Sequence, residues 1–236
     1  MVPRPRPRKA PGLMSRHFFV AGTDTGIGKT HGAQTLVYAF RETGERVAGM
    51  KPIASGSARH PEGLRNQDAL DLQAASSPAP PYDRVNPIAL EEAVAPHLAA
   101  ARAGQPIVWP PLDAGFEALA RDYDRVIVEG VGGWMVPLGE GMSTEDIPRR
   151  WNLPVILVVG IRLGCISHAR LTARAIVADG CRLAGWIANV VESDMPLREE
   201  NIATLRDLLP APCLGVLPHR VAPREAALLL DLDALG

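Results

Sequence analysis

The sequence predicts an α/β fold, a single-domain three-layer sandwich whose mostly parallel sheet carries helices on both faces. Three observations support this. Apolar strand-like runs alternate with helix-like segments along the chain, which demands right-handed crossovers and a parallel sheet. The run Pro154-Val155-Ile156-Leu157-Val158-Val159-Gly160 is unbroken β-branched and leucine sequence, suited to a central strand covered on both faces. A glycine-rich turn joins the first apolar run to the first helix, where α/β sheets place their ligands.

Taken in order, Phe18-Phe19-Val20 reads as the first strand and Thr30 to Arg41 as the first helix. Arg46 to Ile53 reads as a second strand, followed by the polar loop Ala54-Ser55-Gly56-Ser57 and further loop to Arg65. Asn66 is placed to cap a short helix through Ala75, with Asp68 in its first turn. After a Pro-rich connector, Ser77 to Tyr82, come a short strand at Asn86 to Leu90 and helices at Ala95 to Ala103 and Ala114 to Arg121. Asp124 to Gly130 is an apolar strand that closes on an acid and a glycine. Beyond the central strand, a helix (Cys165 to Asp179), a strand (Leu183 to Val190), a helix (Pro196 to Leu209) and a strand (Cys213 to Leu217) complete the alternation. A weak tail helix is expected near Arg224 to Leu230.

Bulk properties exclude several classes. The 236 residues carry a net charge of −1, so no global basic field points to nucleic acid. No apolar run approaches the length of a membrane span. Cys165, Cys181 and Cys213 lie far apart, with neither a disulfide framework nor metal spacing, which suits a reducing cytoplasm. Residues 1–16 are Pro/Arg-rich without the apolar core of a signal peptide and read as a disordered tail, leaving 17–236 as one folded domain.

The chemistry begins at Gly22-Thr23-Asp24-Thr25-Gly26-Ile27-Gly28-Lys29-Thr30. Strand, glycine-rich turn and helix in that order make a phosphate cradle, with inward backbone N–H groups, a mobile charge on Lys29 and a Thr30 hydroxyl suited to Mg²⁺. Five residues rather than four separate Gly22 from Gly28, a departure from the usual P-loop spacing. Other polar residues fall at strand ends and should converge on the same sheet edge: Lys51 and Ser55, Glu129, the Gly160 to His168 loop, and Asn189. Glu129 is placed to hold Mg²⁺ directly or through water, and Asp68 is a second candidate. Lys51, one strand from the phosphates, can stabilise charge that develops during phosphoryl transfer. Gly164 to His168 opens a helix whose N–H groups suit a carboxylate, although a Cys165 nucleophile with His168 as base shares the same segment.

In order along the chain, the cradle, Lys51-Pro52-Ile53-Ala54-Ser55-Gly56, Gly63-Leu64-Arg65-Asn66-Gln67-Asp68-Ala69-Leu70, Val128-Glu129-Gly130-Val131-Gly132-Gly133-Trp134 and Leu163-Gly164-Cys165-Ile166-Ser167-His168-Ala169 closely resemble the dethiobiotin synthetase family of the P-loop nucleotide hydrolase superfamily. The resemblance runs from about His17 to Pro218. It implies ATP-dependent closure of a ureido ring, in which 7,8-diaminopelargonate and CO₂ form an N7 carbamate that the γ-phosphoryl of ATP activates. It implies Mg²⁺ held by Thr30, Asp68 and Glu129, with Lys29 on the phosphates and Lys51 acting with it as catalytic cation. It places Thr25, Gly26, Ile27, Gly28, Lys29, Thr30, Asn189 and Pro218 around ATP, with Asn189 reading the adenine edge. Ser55 and the N–H groups of Gly164, Cys165, Ile166 and Ser167 would meet substrate, the last four from the opposite subunit of a homodimer.

Gly26 stands where relatives often carry an acid, Ser167 replaces an asparagine, and Asn201 lies where some relatives place a tyrosine. Two competing readings are another ATP-dependent amide or carboxylate ligase and a non-enzymatic ATPase switch. The former usually needs a glutaminase domain for which the chain has no room. The latter normally places an additional lysine early in the cradle, and none occurs between Lys9 and Lys29.

Overall fold

The computed structural model describes residues 16–236, so the expected tail lies, but for Arg16, outside the described residues. β1 (Phe18–Gly22) is buried along its length, and α1 (Lys29–Glu42) leaves the glycine-rich turn. In α1, Ala33, Leu36, Val37 and Phe40 are buried at the i, i+3, i+4, i+7 spacing of one helical face. β2 (Val47–Met50) and β3 (Ile53–Ala54) follow, then an antiparallel hairpin of β4 (Ala58–His60) and β5 (Gly63–Arg65). Asn66 caps α2 (Gln67–Ala75) as expected, its side chain accepting the Ala69 N–H. Next come α3 (Tyr82–Val85), β6 (Ile88–Ala89), α4 (Pro96–Ala103), α5 (Trp109–Asp122) and β7 (Arg125–Glu129). A hairpin of β8 (Pro137–Gly139) and β9 (Met142–Ser143) leads to α6 (Asp146–Trp151). β10 (Val155–Ile161), α7 (Cys165–Ala178), β11 (Leu183–Val190), α8 (Arg198–Leu208), β12 (Cys213–Leu217) and the single turn α9 (Pro223–Ala226) complete the chain.

Several boundaries correct the sequence expectations. The strand expected from Arg46 to Ile53 divides at Lys51-Pro52: β2 pairs with β7, whereas β3 pairs with β6 in a small separate sheet. Lys51 turns its N–H to the Val85 carbonyl at 2.8 Å, and Pro52 has no N–H to continue a ladder. The loop expected before Arg65 contains the hairpin β4–β5, whose largely exposed residues give no burial pattern to read. α5 starts at Trp109, not Ala114, because Pro110 and Pro111 sit in a first turn where a missing N–H costs nothing. The expected tail helix shortens to α9 and a 3₁₀ turn at Ala227–Leu229.

Six strands form an all-parallel sheet in the order β12-β11-β10-β1-β7-β2. Alternate residues point to opposite faces. Phe19, Ala21, Val126, Val128, Leu157 and Val159 join one core, whereas Phe18, Val20, Ile127, Ile156 and Val158 join the other under α1 and α2. β1 lies centrally, so the turn after it opens where connections depart to both sides, the crevice that ligands use in such sheets. Among the described residues no helix is long and apolar enough to cross a membrane.

Gly160 on β10 shows how closely this sheet packs on the turn. A Cβ there would fall 2.7 Å from Ile27 Cγ2 and 2.8 Å from its Cβ. Gly160→Ala should therefore lower unfolding stability by about 1–3 kcal/mol, read from urea denaturation, and weaken nucleotide binding by displacing the turn. Wild-type stability and affinity together would show that Ile27 does not hold the turn in place.

Candidate active site

The cradle is fixed by close approaches. Gly26 (φ 73°) and Gly28 (φ 81°) take left-handed conformations that side chains resist. A Cβ on Gly22 would lie 2.7 Å from Lys29 Cγ, so the glycine lets the lysine stem run back across the strand end. Gly28 leaves room for the Asn189 amide, which donates to the Ile27 carbonyl at 2.8 Å. Ile27 itself is buried, so it serves the cradle through its backbone.

Lys29 is buried and donates from Nζ to the Asp24 carbonyl at 2.9 Å. Burial, then the neighbouring Lys51 charge, lowers its pKa to about 8. The Asp24 carboxylate accepts the Thr25 N–H at 2.7 Å and pairs with Arg162 Nη2 at 2.5 Å.

Beside the cradle, Lys51 is 4% exposed and Glu129, the last residue of β7, 1% exposed. Lys51 Nζ reaches Glu129 Oε1 at 2.6 Å, Asp68 Oδ2 at 3.2 Å and the Gly130 carbonyl at 3.2 Å. Thr30 Oγ1 donates to the same Glu129 oxygen at 2.9 Å. Burial works against the Lys51 ammonium, but Glu129 and Asp68 together hold its pKa above the ordinary lysine value. Burial also pushes Glu129 upward against the pull of Lys51. Of the two, Lys51 is firmly the charged partner, because two carboxylates and a carbonyl face it.

Glu129 Oε2 is buried with no hydrogen-bond partner among the described residues. An unmatched carboxylate oxygen beside a threonine hydroxyl fits a hard cation such as Mg²⁺, which keeps waters and takes phosphate oxygens for its other positions. The described residues hold no cluster of three His, Cys, Asp or Glu side chains that could hold a metal ion.

One cavity of about 460 Å³ takes in Lys29, Lys51, Thr30, Asp68 and Glu129, with Thr25, Gly26, Gly28 and Ser55 along its wall. Other expected residues stand apart from it. Pro218 is exposed beyond β12. Gly164 and Ser167 are exposed at the start of α7, Ile166 is partly buried, and Cys165 is in the core with its N–H on the Arg162 carbonyl. Cys165 is buried while His168 is exposed, which leaves no nucleophile–base pair. The sequence reading missed Arg162, whose ion pair joins positions 138 residues apart, and Asn66, which lines the cavity.

The parallel sheet and its cradle define the class, a P-loop nucleotide-binding protein. A family model described as an AAA domain matches residues 16–223. Similar folds occur in the signal recognition particle 54 kDa protein of Aeropyrum pernix (TM-score 0.52, 19% identity, 96% of this chain and 48% of that one). The MinC:MinD complex of Aquifex aeolicus is also similar (TM-score 0.53, 16% identity, 87% and 82%). The ATP-dependent dethiobiotin synthetase of Xanthomonas oryzae pv. oryzae is 52% identical over 210 residues, 89% of this chain and 94% of the relative. That of Xylella fastidiosa is 52% identical over 202 residues, 86% and 89%. The chain belongs to the dethiobiotin synthetase family of ATP-dependent ligases.

The lowered Lys29 pKa sets a pH dependence for triphosphate binding. A bound anion favours the ammonium form, so binding above pH 8 takes up a proton and affinity falls as pH rises. The fall should approach about tenfold per pH unit, and calorimetry in buffers of different ionisation enthalpy should show the proton uptake. Lys29→Met should weaken binding and abolish this slope; a slope that persists in the variant belongs to another group.

Proposed function

We propose that this chain closes a ureido ring in biotin biosynthesis, converting 7,8-diaminopelargonate, CO₂ and ATP to dethiobiotin, ADP and phosphate. The observation that carries this reading is one cavity shared by the Lys29 and Lys51 ammonium groups, beside buried Glu129, in a chain of this family. The N7 amine adds to the carbon of CO₂ and loses a proton, giving a carbamate. A carbamate oxygen leaves poorly, so it first takes the γ-phosphoryl group as ADP departs. The second amine then attacks the activated carbonyl carbon and gives up a proton, and phosphate leaves as the ring closes.

The chain's part is positioning and charge. Backbone N–H groups of Gly26, Ile27 and Gly28 cradle the phosphates, and Lys29 leaves the Asp24 carbonyl to meet them. Lys51, already charged, faces the carbamate and the transferring phosphoryl, with Thr25 and Ser55 as hydrogen-bonding partners there. Thr30, Glu129 and Asp68 would hold Mg²⁺, which when bound neutralises charge on the β- and γ-phosphate oxygens. Asn189 and Pro218 stand at the adenine end; the Asn189 Nδ2 is held by Ile27, which leaves Oδ1 for the exocyclic amine of the base.

The substrate carboxylate would meet the N–H groups of Gly164, Ile166 and Ser167 from the second subunit of a homodimer, the expected Cys165 N–H being already taken by the Arg162 carbonyl. Support comes from the apolar residues exposed near that segment, Leu163 at 89% and Leu171 at 64%. We place this activity in one domain, 17–236, acting in the cytoplasm.

Protein supplied with diaminopelargonate, bicarbonate and MgATP should yield dethiobiotin by mass spectrometry. ATP turnover that needs glutamine would favour a different ligase, and turnover indifferent to the diamine a nucleotide switch. Lys51→Ala should lower kcat by roughly 10³-fold or more while nucleotide still binds. Near-normal kcat in that variant would remove Lys51 from the reaction. Glu129→Gln should raise the Mg²⁺ concentration for half-maximal rate at least about tenfold; an unchanged titration would make Glu129 purely structural.

A further inference from the structure

Behind the cavity, a chain of hydrogen bonds joins three residues that reach it from different elements. Lys51 is clamped through its own peptide: its N–H donates to the Val85 carbonyl at 2.8 Å, and its carbonyl accepts from Asn86 Nδ2 at 2.7 Å. Asn86 Nδ2 also donates to the Ile88 carbonyl at 3.2 Å. With two carbonyls on the nitrogen side, Asn86 Oδ1 faces the Tyr82 hydroxyl, which donates to it at 3.0 Å. The same hydroxyl accepts the Asn66 N–H at 2.7 Å. Asn66 is the cap of α2, which carries Asp68, and its Nδ2 donates to the Ser55 carbonyl at 3.2 Å.

Asn86, Asn66 and Lys51 are all at least nine-tenths buried, so these bonds are shielded from competing water. The Arg65 guanidinium lies 4.3 Å from the centre of the Tyr82 ring and holds it from the outer side. Burial, the larger influence, raises the Tyr82 pKa, which keeps the hydroxyl protonated and able to donate. The local sequence explains the placement. Pro80 is anchored by Gln73 Nε2 at 2.8 Å, Pro81 precedes the single turn of α3, and Pro87 stops that turn just after Asn86. The Pro-rich connector thus delivers one phenol and one amide to a fixed spot behind the catalytic lysine.

We infer that Tyr82 and Asn86 are positioning residues, which lock the strand end bearing Lys51 to the helix cap bearing Asp68 and to Ser55. This rests on the proposed role of Lys51 at the transferring phosphoryl group. Lys51 bonds to carboxylates on two elements, Glu129 at 2.6 Å and Asp68 at 3.2 Å. A slip of α2 relative to the strand end would break that geometry, whereas the glycine-rich turn is held by Ile27 against Gly160 and by the Asn189 amide, so the slip should cost turnover rather than nucleotide affinity.

Tyr82→Phe removes only the hydroxyl, and keeps the ring and its arginine. Asn86→Asp keeps the shape but turns an acceptor toward the Lys51 and Ile88 carbonyls. In Tyr82→Phe, kcat should fall about 10- to 100-fold while KM for ATP stays within about twofold. The Mg²⁺ midpoint should rise as Asp68 loosens, and amide hydrogen exchange at Lys51 and Asn66 in the ligand-free protein should quicken. Asn86→Asp should do the same more strongly; should it not fold, Tyr82→Phe decides alone. Unchanged exchange at both amides, or a loss of kcat matched by an equal loss of nucleotide affinity, overturns the inference. Quickened exchange, with no dethiobiotin from the wild type, supports the coupling and sinks the proposed reaction instead.

Discussion

The buried ion pair between Lys51 and Glu129 is the constraint on which the site depends. Taking both charges out of water is costly, and two well-packed apolar side chains would serve stability as well or better. Breaking the pair from one side would strand the remaining charge, so losing either partner alone costs stability. The pair sits at the carboxyl ends of neighbouring strands β2 and β7, with Thr30 from α1 on the same carboxylate oxygen. One interaction therefore fixes two strand ends and the first turn of the cradle helix at a common point.

The cradle is held by contact as much as by hydrogen bonding. Small residues at Gly22, Gly28 and Gly160 admit the Lys29 stem, the Asn189 amide and the Ile27 side chain. Each contact reaches the turn from a different strand, so the alternating faces of the parallel sheet become the mould for the phosphate site. A longer turn than the usual P-loop is tolerated because Ile27 anchors its far end in the core.

Much of this was legible in the sequence because periodicity and position carry the information. The central strand, the Asn66 cap and the convergence of Lys29, Lys51 and Glu129 all follow from where apolar runs stop and polar residues begin. The hairpin β4–β5 was not legible, since exposed residues leave no burial pattern. Nor was α3, a single turn that is stable only through its packing in the tertiary structure. The Asp24–Arg162 pair, and the bonds that tie Asn86 to Lys51 and Tyr82 to Asn66, join positions that no local spacing connects. Asn189 showed the opposite limit: its place at a strand end was readable, but its bond to the Ile27 carbonyl depends on the turn it faces.

The resting site also shows which of its lysines must move. Lys51 is matched by two carboxylates, while Lys29 Nζ donates to a neutral carbonyl. An arriving phosphate can replace a carbonyl at little electrostatic cost, but it cannot displace carboxylates without leaving them exposed to its own charge. Lys29 is thus the exchangeable cation and Lys51 the fixed one. The depressed pKa of Lys29 and the raised pKa of Lys51 express the same difference, since a proton is held loosely where its counter-charge has yet to arrive. A site arranged in this way waits with one charge committed and one in reserve; in the proposed reaction, phosphate binding and phosphoryl stabilisation then fall to different lysines in a single cavity.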